Sequence, residues 1–508
     1  MVILVIAAYM VCVILIGIRC SKKNKSSEDF YLGGRKLGPF VTAMSAEASD
    51  MSSWLLMGLP GVALLTGVAG NTTGFAEAVW TAVGLAVGTY FNWLIVAKRI
   101  RIYSEKTNSS TFPSFLSERF RDRSGAVLAL SAVIIIVFFV PYTASGFSAI
   151  GKLFQSLFGV DYHLALIIGA AIIVFYTVIG GFLAASTTDF VQSIVMTIAL
   201  VVIVTFGVSN AGGFSNVLEN VSGTENYFSL TGTDHKSYGV LPIISTLAWG
   251  LGYFGMPHIL LRFMAIENEQ KLKLARRVGT IWVVISMAVA IFIGIIGYSF
   301  VTNPENGMLL ETEGFDAERI IIYMSQAISK LGALPALVAG VILAGILASI
   351  MSTADSQLLA AASSVSENIV KRFFFKNMNS KTQMLVARLT VLAISLVAVV
   401  LVWNPKSSVF SVVSFAWAGF GAAFGPLVLC ALFWKRTNKF GAVAGIIGGG
   451  VTVFVWKYAV RPLGGVFDIY ELLPAFIVSL VLIVAVSLLT PKPEKEITDE
   501  FEAVKAAK

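Results

Sequence analysis

Charged residues are scarce in this chain, since Asp, Glu, Lys and Arg make up only 13% of its 508 residues. Hydrophobic residues make up 56%, and the mean hydropathy is +0.82. This balance excludes a soluble globular domain. Apolar runs of roughly 20 residues recur along nearly the whole length, and each is long enough to cross a bilayer as a helix. Because lipid offers no partner to an open sheet edge, the sequence predicts an all-α polytopic membrane protein.

Cysteine and histidine are also rare. Neither type has the spacing of a metal site or of a disulfide framework; the residues are Cys12, Cys20, Cys430, His163, His235 and His258. The patterns GxxxxGK[ST], HExxH and GxSxG are missing from the sequence. We therefore expect neither an enzyme nor an ATP-driven pump, no organic cofactor, no nucleic-acid partner and no obligate protein partner. Transport would then draw on an ion gradient.

The apolar runs predict 13 membrane spans within one transmembrane domain, residues 1–490, followed by a charged cytoplasmic tail, residues 491–508. The N-terminus lacks a basic flank and a small-residue cleavage site, so we interpret it as a first span and not as a signal peptide. The predicted spans are 2–18, 39–66, 74–97, 124–151, 163–184, 189–209, 240–261, 278–301, 333–365, 384–403, 408–433, 440–458 and 470–490.

The distribution of positive charge predicts the orientation of these spans in the cell membrane. With the first loop placed in the cytoplasm, only seven of the 37 Lys and Arg residues fall outside: Lys152, Lys236, Arg319, Lys330, Lys406, Lys457 and Arg461. Cytoplasmic loops of membrane proteins carry excess Lys and Arg. The N-terminus is therefore predicted outside and the C-terminus inside. The net charge of +8 needs no anionic partner, and the partner that the sequence does predict is membrane lipid.

Two spans are interrupted by residues that weaken a helix. In the second span, Asp50 lies among serines, and Gly58 and Pro60 follow it within the same span. The seventh span contains Gly255 and Pro257. A buried carboxylate costs about 2.5–3.5 kcal/mol at the bilayer centre, so it is rarely kept without a partner. Broken spans in corresponding positions of two halves indicate an inverted-repeat transporter with its site at the membrane midplane.

The ninth span has a row of hydroxyl side chains on one helical face. Its members are Ser349, Ser352, Thr353 and Ser356, with Asp355 beside them. A single Ser or Thr in a membrane helix commonly bonds only to its own backbone. Four on one face beside a carboxylate favour a site for a small alkali cation.

Other polar residues in the spans leave alternatives open. Asp189 opens the predicted sixth span, where it is either a helix cap at the cytoplasmic surface or part of an ion relay. We assign no role to Glu47 or Glu77. Trp249 and Tyr253, with Pro257, follow helical spacing in the seventh span, which fits ordinary packing or, in our preferred interpretation, a pocket for a compact apolar ring.

Five segments together resemble the sodium/solute symporter family, most closely its sodium/proline branch. They are FYLGGRKLGPFVTAMSAEASDMSSWLLMGLPG, YTVIGGFLAASTTDFVQ, WGLGYFGMPHILLRFMA, IMSTADSQLL and SFAWAGFGAAFGP, and they cover the chain in order. The resemblance implies a LeuT-type core of two inverted five-helix repeats, at about 39–433, with one span before it and two after. It also implies sodium-coupled symport, with Na⁺ as the co-transported ion and L-proline as the substrate.

The resemblance implies four groups of functional residues. The sodium site falls on the Ala48 and Met51 carbonyls with Ser349, Ser352 and Thr353, and Asp50 matches the acidic residue needed for coupling. A possible second cation site falls on Asp189, Ser352, Asp355 and Ser356. The proline pocket falls on Ser52, Ser53, Tyr142, Trp249, Tyr253 and Pro257. Arg35, in the GGR motif, matches a residue linked to gating.

Two departures from the proline branch border the predicted pocket. Ser53 stands where that branch often has Gly, and Met256 where it often has Gln. We expect these departures to shift affinity or to admit a different imino or amino acid. The rival solutes for the same fold are a betaine, pantothenate or a sialic acid. A transporter-like nutrient sensor is a rival of another class, although no kinase region follows Thr490. A channel is a third class.

Overall fold

The computed structural model describes residues 1–21, 31–306, 309–311, 314–375, 378–405 and 408–507. Lys406 and most of the first loop, both used in the charge count, lie outside the described residues. In the described part, the regular secondary structure is helical apart from one bridge between Leu37 and Ile266. The helices are α1 Val2–Ser21, α2 Pro39–Asp50, α3 Leu59–Leu64, α4 Gly74–Phe91, α5 Ala97–Lys106, α6 Phe112–Arg119, α7 Ala126–Phe158, α8 Tyr162–Asn210, α9 Phe214–Val221, α10 Val240–Leu247, α11 Pro257–Ala265, α12 Leu272–Thr302, α13 Ile320–Ser329, α14 Ala333–Ser363, α15 Ser380–Leu401, α16 Val409–Phe433, α17 Lys439–Val455, α18 Leu472–Leu489 and α19 Lys495–Ala506.

Ten helices in the described residues are long and apolar enough to cross a membrane, and the bent pair Val240–Gly255 and Pro257–Ala265 makes an eleventh. Two shorter apolar helices, Trp54–Leu64 and Tyr162–Phe175, fall within the predicted second and fifth spans. The all-helical, multi-pass character of the chain is confirmed. The count of 13 spans stays a prediction.

Polar caps fix where several spans begin. The side chains of Asp161, Ser408 and Asn438 accept backbone N–H bonds at the starts of α8, α16 and α17. Each cap satisfies a donor that the first helical turn leaves without an intrahelical partner. Spans can therefore begin next to short polar loops without burying an unpaired N–H.

Both predicted helix breaks are present. Helix α2 ends at Asp50, Met51 leaves the helix (φ −75°, ψ 67°), and a π-helical turn, Trp54–Gly58, leads into α3. Helix α10 continues as a 3₁₀ segment, Ala248–Gly255, and Met256 is extended before α11, with a bend of 45°. Glycine is required at Gly252, where a Cβ would lie 1.9 Å from the Trp417 indole nitrogen of α16. The two breaks thus expose backbone ends inside the helix bundle.

The predicted boundary between the fifth and sixth spans is wrong. Helix α8 runs through both predicted spans with one kink, at Gly181 (φ 70°, ψ −179°), which lies before the predicted boundary at residues 185–188. Gly181 tolerates this left-handed angle because it has no Cβ. Asp189 therefore lies two turns beyond the kink, inside a continuous helix, and the helix-cap interpretation of Asp189 is wrong.

The C-terminal tail also differs from a fully solvated segment. Residues Ile497, Phe501 and Val504 lie on one face of α19 and are buried. Around them, Arg121 pairs with Glu500 (2.7 Å), and the ring of Phe501 lies under the Arg119 guanidinium. The apolar stripe at helical spacing is the physical reason for the docking.

The bundle is centred on α14, which packs against α8, α7 and α1 and also contacts α2. The 3₁₀ segment 248–255 packs between α4 and α16. This places the hydroxyl face of α14 beside the break at Asp50.

Candidate functional site

The break after Asp50 gathers three donors on one backbone carbonyl. The Asp50 carbonyl accepts bonds from the Ser52 N–H (2.8 Å), the Trp54 indole (3.0 Å) and the Tyr142 hydroxyl (3.3 Å). A regular helix would use this carbonyl for its own ladder. Here it fixes the shape of the broken span, and it brings Tyr142 of α7 to the break.

The Asp50 carboxyl group joins the two broken spans. It is fully buried, and its Oδ2 accepts a 2.5 Å bond from the Tyr253 hydroxyl. Its Oδ1 has no hydrogen-bond partner among the described residues, and no described basic side chain forms an ion pair with the group. A membrane-buried carboxylate that is held only by neutral donors is suited to a mobile cation.

The hydroxyl face of α14 meets the first half of the broken span. Ser352 Oγ donates to the Ala48 carbonyl at 2.8 Å. The Ser349 and Thr353 hydroxyls donate to carbonyls of α14 itself, at 2.8 and 3.2 Å. A hydroxyl that donates its proton keeps oxygen lone pairs for a cation. The structure thus joins Ser352 to Ala48, places Ser349 and Thr353 on adjoining turns, and buries Met51 at the break.

The residues predicted for a second cation site surround an arginine that the sequence analysis did not identify. The guanidinium of Arg262, on α11, lies 3.1 Å from Asp189 Oδ2 and donates to Ser356 Oγ at 2.6 Å. Ser45 Oγ donates to the same Asp189 oxygen (2.6 Å) and accepts from Arg262 Nε (3.0 Å). Asp355 Oδ1 accepts from Ser356, at 3.2 Å. Arg262 therefore supplies a positive charge at Asp189 without a bound ion.

Aromatic residues make up three of the six predicted substrate-pocket residues. Trp249 is only 5% exposed. It stacks on Tyr470, with ring centroids 5.1 Å apart, and lies 5.4 Å from the Phe410 ring. The Tyr253 ring meets Trp417 edge-on at 5.1 Å. Rings held in this way offer rigid apolar faces at little conformational cost.

The remaining predicted pocket residues are buried at the two breaks. Ser52 and Ser53 follow Met51, and the Ser53 hydroxyl has no partner among the described residues. Pro257 is the first residue of α11. Tyr142 and Tyr253 both reach Asp50, one through its carbonyl and the other through its carboxylate. The structure therefore groups the predicted ion and substrate residues around one carboxylate.

A cavity of about 430 Å³ lies at the end of the bundle where α4, α10 and α16 begin. Trp249, Phe410 and Tyr470 line its apolar side, while Glu77 and Arg461 line its polar side. Trp249 thus lies between this cavity and the residues around Asp50.

Arg35 connects the chain segment before α2 with the ends of α5 and α11. Its guanidinium donates to the Met264 carbonyl (2.7 Å), the Ser104 carbonyl (3.0 Å) and the Ser109 carbonyl (2.7 Å). Next to it, Leu37 N–H donates to the Ala265 carbonyl at 3.2 Å. The segment before α2, the end of α11 and the end of α5 are thereby held together.

An acidic residue that the sequence analysis missed stabilises the cavity end. The Glu318 carboxylate accepts a 2.8 Å bond from Lys152 of α7 and bonds from the backbone N–H groups of Val409 and Phe410, each at 3.1 Å. It caps α16, and Phe410 lies against Trp249. Glu318 therefore positions a ring that covers the pocket.

Arg262, which was missed, and Glu47, to which no role was assigned, have a modest sequence signal in common. Each is a charged residue within or beside a predicted span, and Glu47 Oε1 accepts from the Trp93 indole at 2.6 Å. Charges in membrane segments indicate function or pairing. Their partners are more than 40 residues away in the sequence, so spacing alone does not identify them.

Two broken helices beside a buried carboxylate and a hydroxyl face are the arrangement of an ion-coupled secondary transporter. A family model described as "Sodium:solute symporter family" matches residues 30–449. The chain belongs to the sodium:solute symporter family.

Curated relatives match nearly the full length. The high-affinity proline transporter PutP of Bacillus subtilis is 42% identical over 491 residues, covering 96% of this chain and 98% of the relative. The osmoregulated proline transporter OpuE of the same organism is 40% identical, with 97% and 96% covered. A sodium/proline symporter of Staphylococcus aureus is 39% identical, with 99% and 95% covered.

Solved structures confirm the fold class. A Na⁺-coupled sialic acid symporter superposes with a TM-score of 0.77 at 17% identity, covering 97% of this chain and 99% of the other. A nucleobase-cation-symport-1 family transporter gives a TM-score of 0.54 at 14% identity, covering 95% and 99%. At these identities the likeness shows the shared fold, which is the LeuT-type arrangement predicted from the sequence.

Proposed function

We propose that this protein imports L-proline by sodium-coupled symport across the cell membrane, with its N-terminus outside and its C-terminus inside. The observation that carries the proposal is the Ser352 hydroxyl against the Ala48 carbonyl at the break beside Asp50. This contact supports a cation site at the break, where the proposed ligands are close to the aromatic residues of the proposed pocket. The names of the relatives, which are 39–42% identical over nearly the whole chain, support proline as the solute.

The proposed sodium ion is coordinated by the Ala48 and Met51 carbonyls and the hydroxyls of Ser349, Ser352 and Thr353. Hydroxyl and carbonyl oxygens are ligands that a hard cation prefers, and they add no net charge. Asp50 provides the negative field, because its carboxylate is buried without a basic partner among the described residues. Sodium is co-transported cargo, and the proposal requires no organic cofactor.

The proposed substrate binds between the two breaks. The ring packs against Trp249 and Tyr253, with Tyr142, Ser52, Ser53 and Pro257 completing the pocket. Tyr253 bonds to Asp50 at 2.5 Å, so a change in the ion site moves a wall of the substrate site. Coupling then follows as differential binding, because sodium favours the substrate-competent arrangement and substrate tightens sodium equally.

Two sets of contacts would control access. Arg35 holds the ends of α5 and α11 at the predicted cytoplasmic side, while Phe410 and Tyr470 cover Trp249 at the predicted outer side. Opening either side requires the helices of the bundle to move. In this proposal, the contacts of Arg35 couple the movement of α11 to that of α2. Arg262 pairs with Asp189 and donates to Ser356, so in this proposal its guanidinium takes the place of a second sodium ion among the residues Asp189, Ser352, Asp355 and Ser356.

Uptake of labelled proline into proteoliposomes tests the proposal. We expect saturable uptake with sodium outside, and background uptake with choline. Proline uptake should fall on addition of unlabelled proline but not of a betaine, pantothenate or a sialic acid. Equal uptake in sodium and choline would refute sodium coupling, and stronger competition by another solute would reassign the substrate.

A further inference from the structure

His258 is a buried histidine whose ring makes no hydrogen bond to the described residues. It is fully buried, and neither Nδ1 nor Nε2 has a partner in the described part of the chain. Its ring packs against Phe139, at 5.6 Å between centroids, and edge-on against Tyr142, at 6.5 Å. A neutral imidazole carries one N–H donor and one acceptor. Burial without a partner is unfavourable, so the two unpaired ring nitrogens require an explanation, and a bound ligand is one.

The backbone around His258 has unused donors as well. Pro257, the first residue of α11, has no N–H, and the side chain of Met256 forms no cap. The first helical bond of this turn runs from the Leu260 N–H to the Met256 carbonyl, at 3.0 Å. The N–H groups of His258 and Ile259 therefore lie in the part of α11 that lacks intrahelical acceptors. A helix N-terminus with free N–H groups attracts an anion.

Arg262 holds the backbone at this end of α11. Arg262 lies one turn further along α11 and donates to the His258 carbonyl at 3.0 Å. This bond fixes the backbone of the first turn, while the Phe139 and Tyr142 rings contact the His258 ring. The charge of Arg262 is paired with Asp189 of α8, so Arg262 orients the turn and does not itself attract the anion.

We infer that the His258 ring N–H, together with the first-turn N–H groups of α11, binds the carboxylate of the transported amino acid. This inference rests on the proposed function and identifies how the anionic end of the substrate is recognised. Tyr142 connects the two ends of the pocket, because its hydroxyl reaches the Asp50 carbonyl and its ring touches His258.

The assignment orients the substrate in the pocket. The carboxylate lies at the start of α11, and the cationic nitrogen faces Asp50, whose Oδ1 has no partner among the described residues. A zwitterion thus meets opposite charges at the two breaks, and its ring lies among Tyr142, Tyr253 and Trp249. A solute without a carboxylate leaves the His258 donor unpaired, and the pocket discriminates against that solute.

A matched pair of substitutions tests the donor role. Gln and Met are unbranched and similar in volume, but only Gln has an N–H donor. Equilibrium binding of labelled proline to the purified full-length protein at saturating sodium should give a Kd about tenfold higher for His258→Met, or about 1.4 kcal/mol, and a change within about threefold for His258→Gln. Sodium affinity without proline should be unchanged in both variants. His163→Met, at the half-exposed start of α8, serves as the control and should bind proline like the unaltered protein.

The outcomes separate the possibilities. Equal proline affinity in the Met and Gln variants would overturn the inference and assign the ring nitrogens to ordered water. A loss of sodium and proline affinity together in both would indicate a packing role and overturn it as well. If His258→Met does not accumulate, the pair His258→Asn and His258→Leu gives the same comparison. Absence of sodium-dependent proline binding in the unaltered protein would instead refute the proposed function.

Discussion

Replacing Ser352 with Ala removes the contact that joins the hydroxyl face of α14 to the broken span. The Ser352 hydroxyl donates to the Ala48 carbonyl at 2.8 Å and is fully buried. In the sodium-bound state its oxygen is one of about five proposed ligands, alongside the Ala48 and Met51 carbonyls. Ser352→Ala leaves that ligand position empty, and the buried site is closed to a replacement from bulk water.

The expected loss follows from the strength of the missing contact. A hydrogen bond or ligand contact to a charged group contributes about 1.5–3 kcal/mol. Since about 1.4 kcal/mol is tenfold in an equilibrium constant, the sodium concentration for half-maximal uptake should rise by roughly 10- to 100-fold. Proline affinity at limiting sodium should fall by the same factor, because coupling between two ligands is reciprocal.

Sodium titrations of proline uptake in proteoliposomes measure this effect, with protein amount determined in the same samples. Ser363→Ala is the matched control, since Ser363 is buried in the same helix and its hydroxyl donates only to the Ala360 carbonyl at 2.8 Å. The control should change sodium dependence by less than about twofold. Unchanged sodium dependence in Ser352→Ala at normal abundance would refute the placement of the sodium site.

Three further predictions concern other parts of the site. Trp249→Ala should raise the proline Kd at least about tenfold with sodium binding retained, since it removes a ring stacked 5.1 Å from Tyr470; an unchanged proline Kd would contradict the pocket. Arg262→Met should lower the free energy of unfolding in detergent by about 3–5 kcal/mol, because it leaves Asp189 as an unpaired buried charge. Adding Asp189→Asn to the same chain should restore most of this loss, and equal stability of the single and double variants would contradict the ion pair. Arg35→Lys should speed substrate exchange at the predicted cytoplasmic side, because a lysine ammonium cannot donate to all three backbone carbonyls that the planar guanidinium reaches. An unaltered exchange rate would show that Arg35 does not control access at this side.

The sequence alone was sufficient for features that a bilayer imposes locally. A span needs a long apolar run, and a break is favoured by residues that weaken a helix, such as Ser, Gly and Pro, so both broken spans were predicted close to their observed positions at Met51 and Met256. The pairing of Ser352 with the first broken span followed from the family resemblance. Its geometry, a hydroxyl on the Ala48 carbonyl, required the structure.

Features that depend on tertiary contacts were not predictable in this way. The kink at Gly181 depends on backbone angles that hydropathy does not record, so the start of the sixth span was misplaced. Arg262 lies 73 residues from Asp189, and nothing in the spacing marks them as partners. The docking of α19 had a local signal, because Ile497, Phe501 and Val504 follow helical spacing, but the density of charge in the tail concealed it.

The central claim is that a sodium gradient drives proline accumulation through this chain, and gradient-driven uptake tests it most directly. Proteoliposomes that contain the purified protein are given an inward sodium gradient of about tenfold, with the membrane potential clamped at zero. The account predicts that internal proline rises above its external concentration and that the excess disappears when the sodium gradient is abolished. Proline that only equilibrates, at the same rate with and without the gradient, would contradict the account.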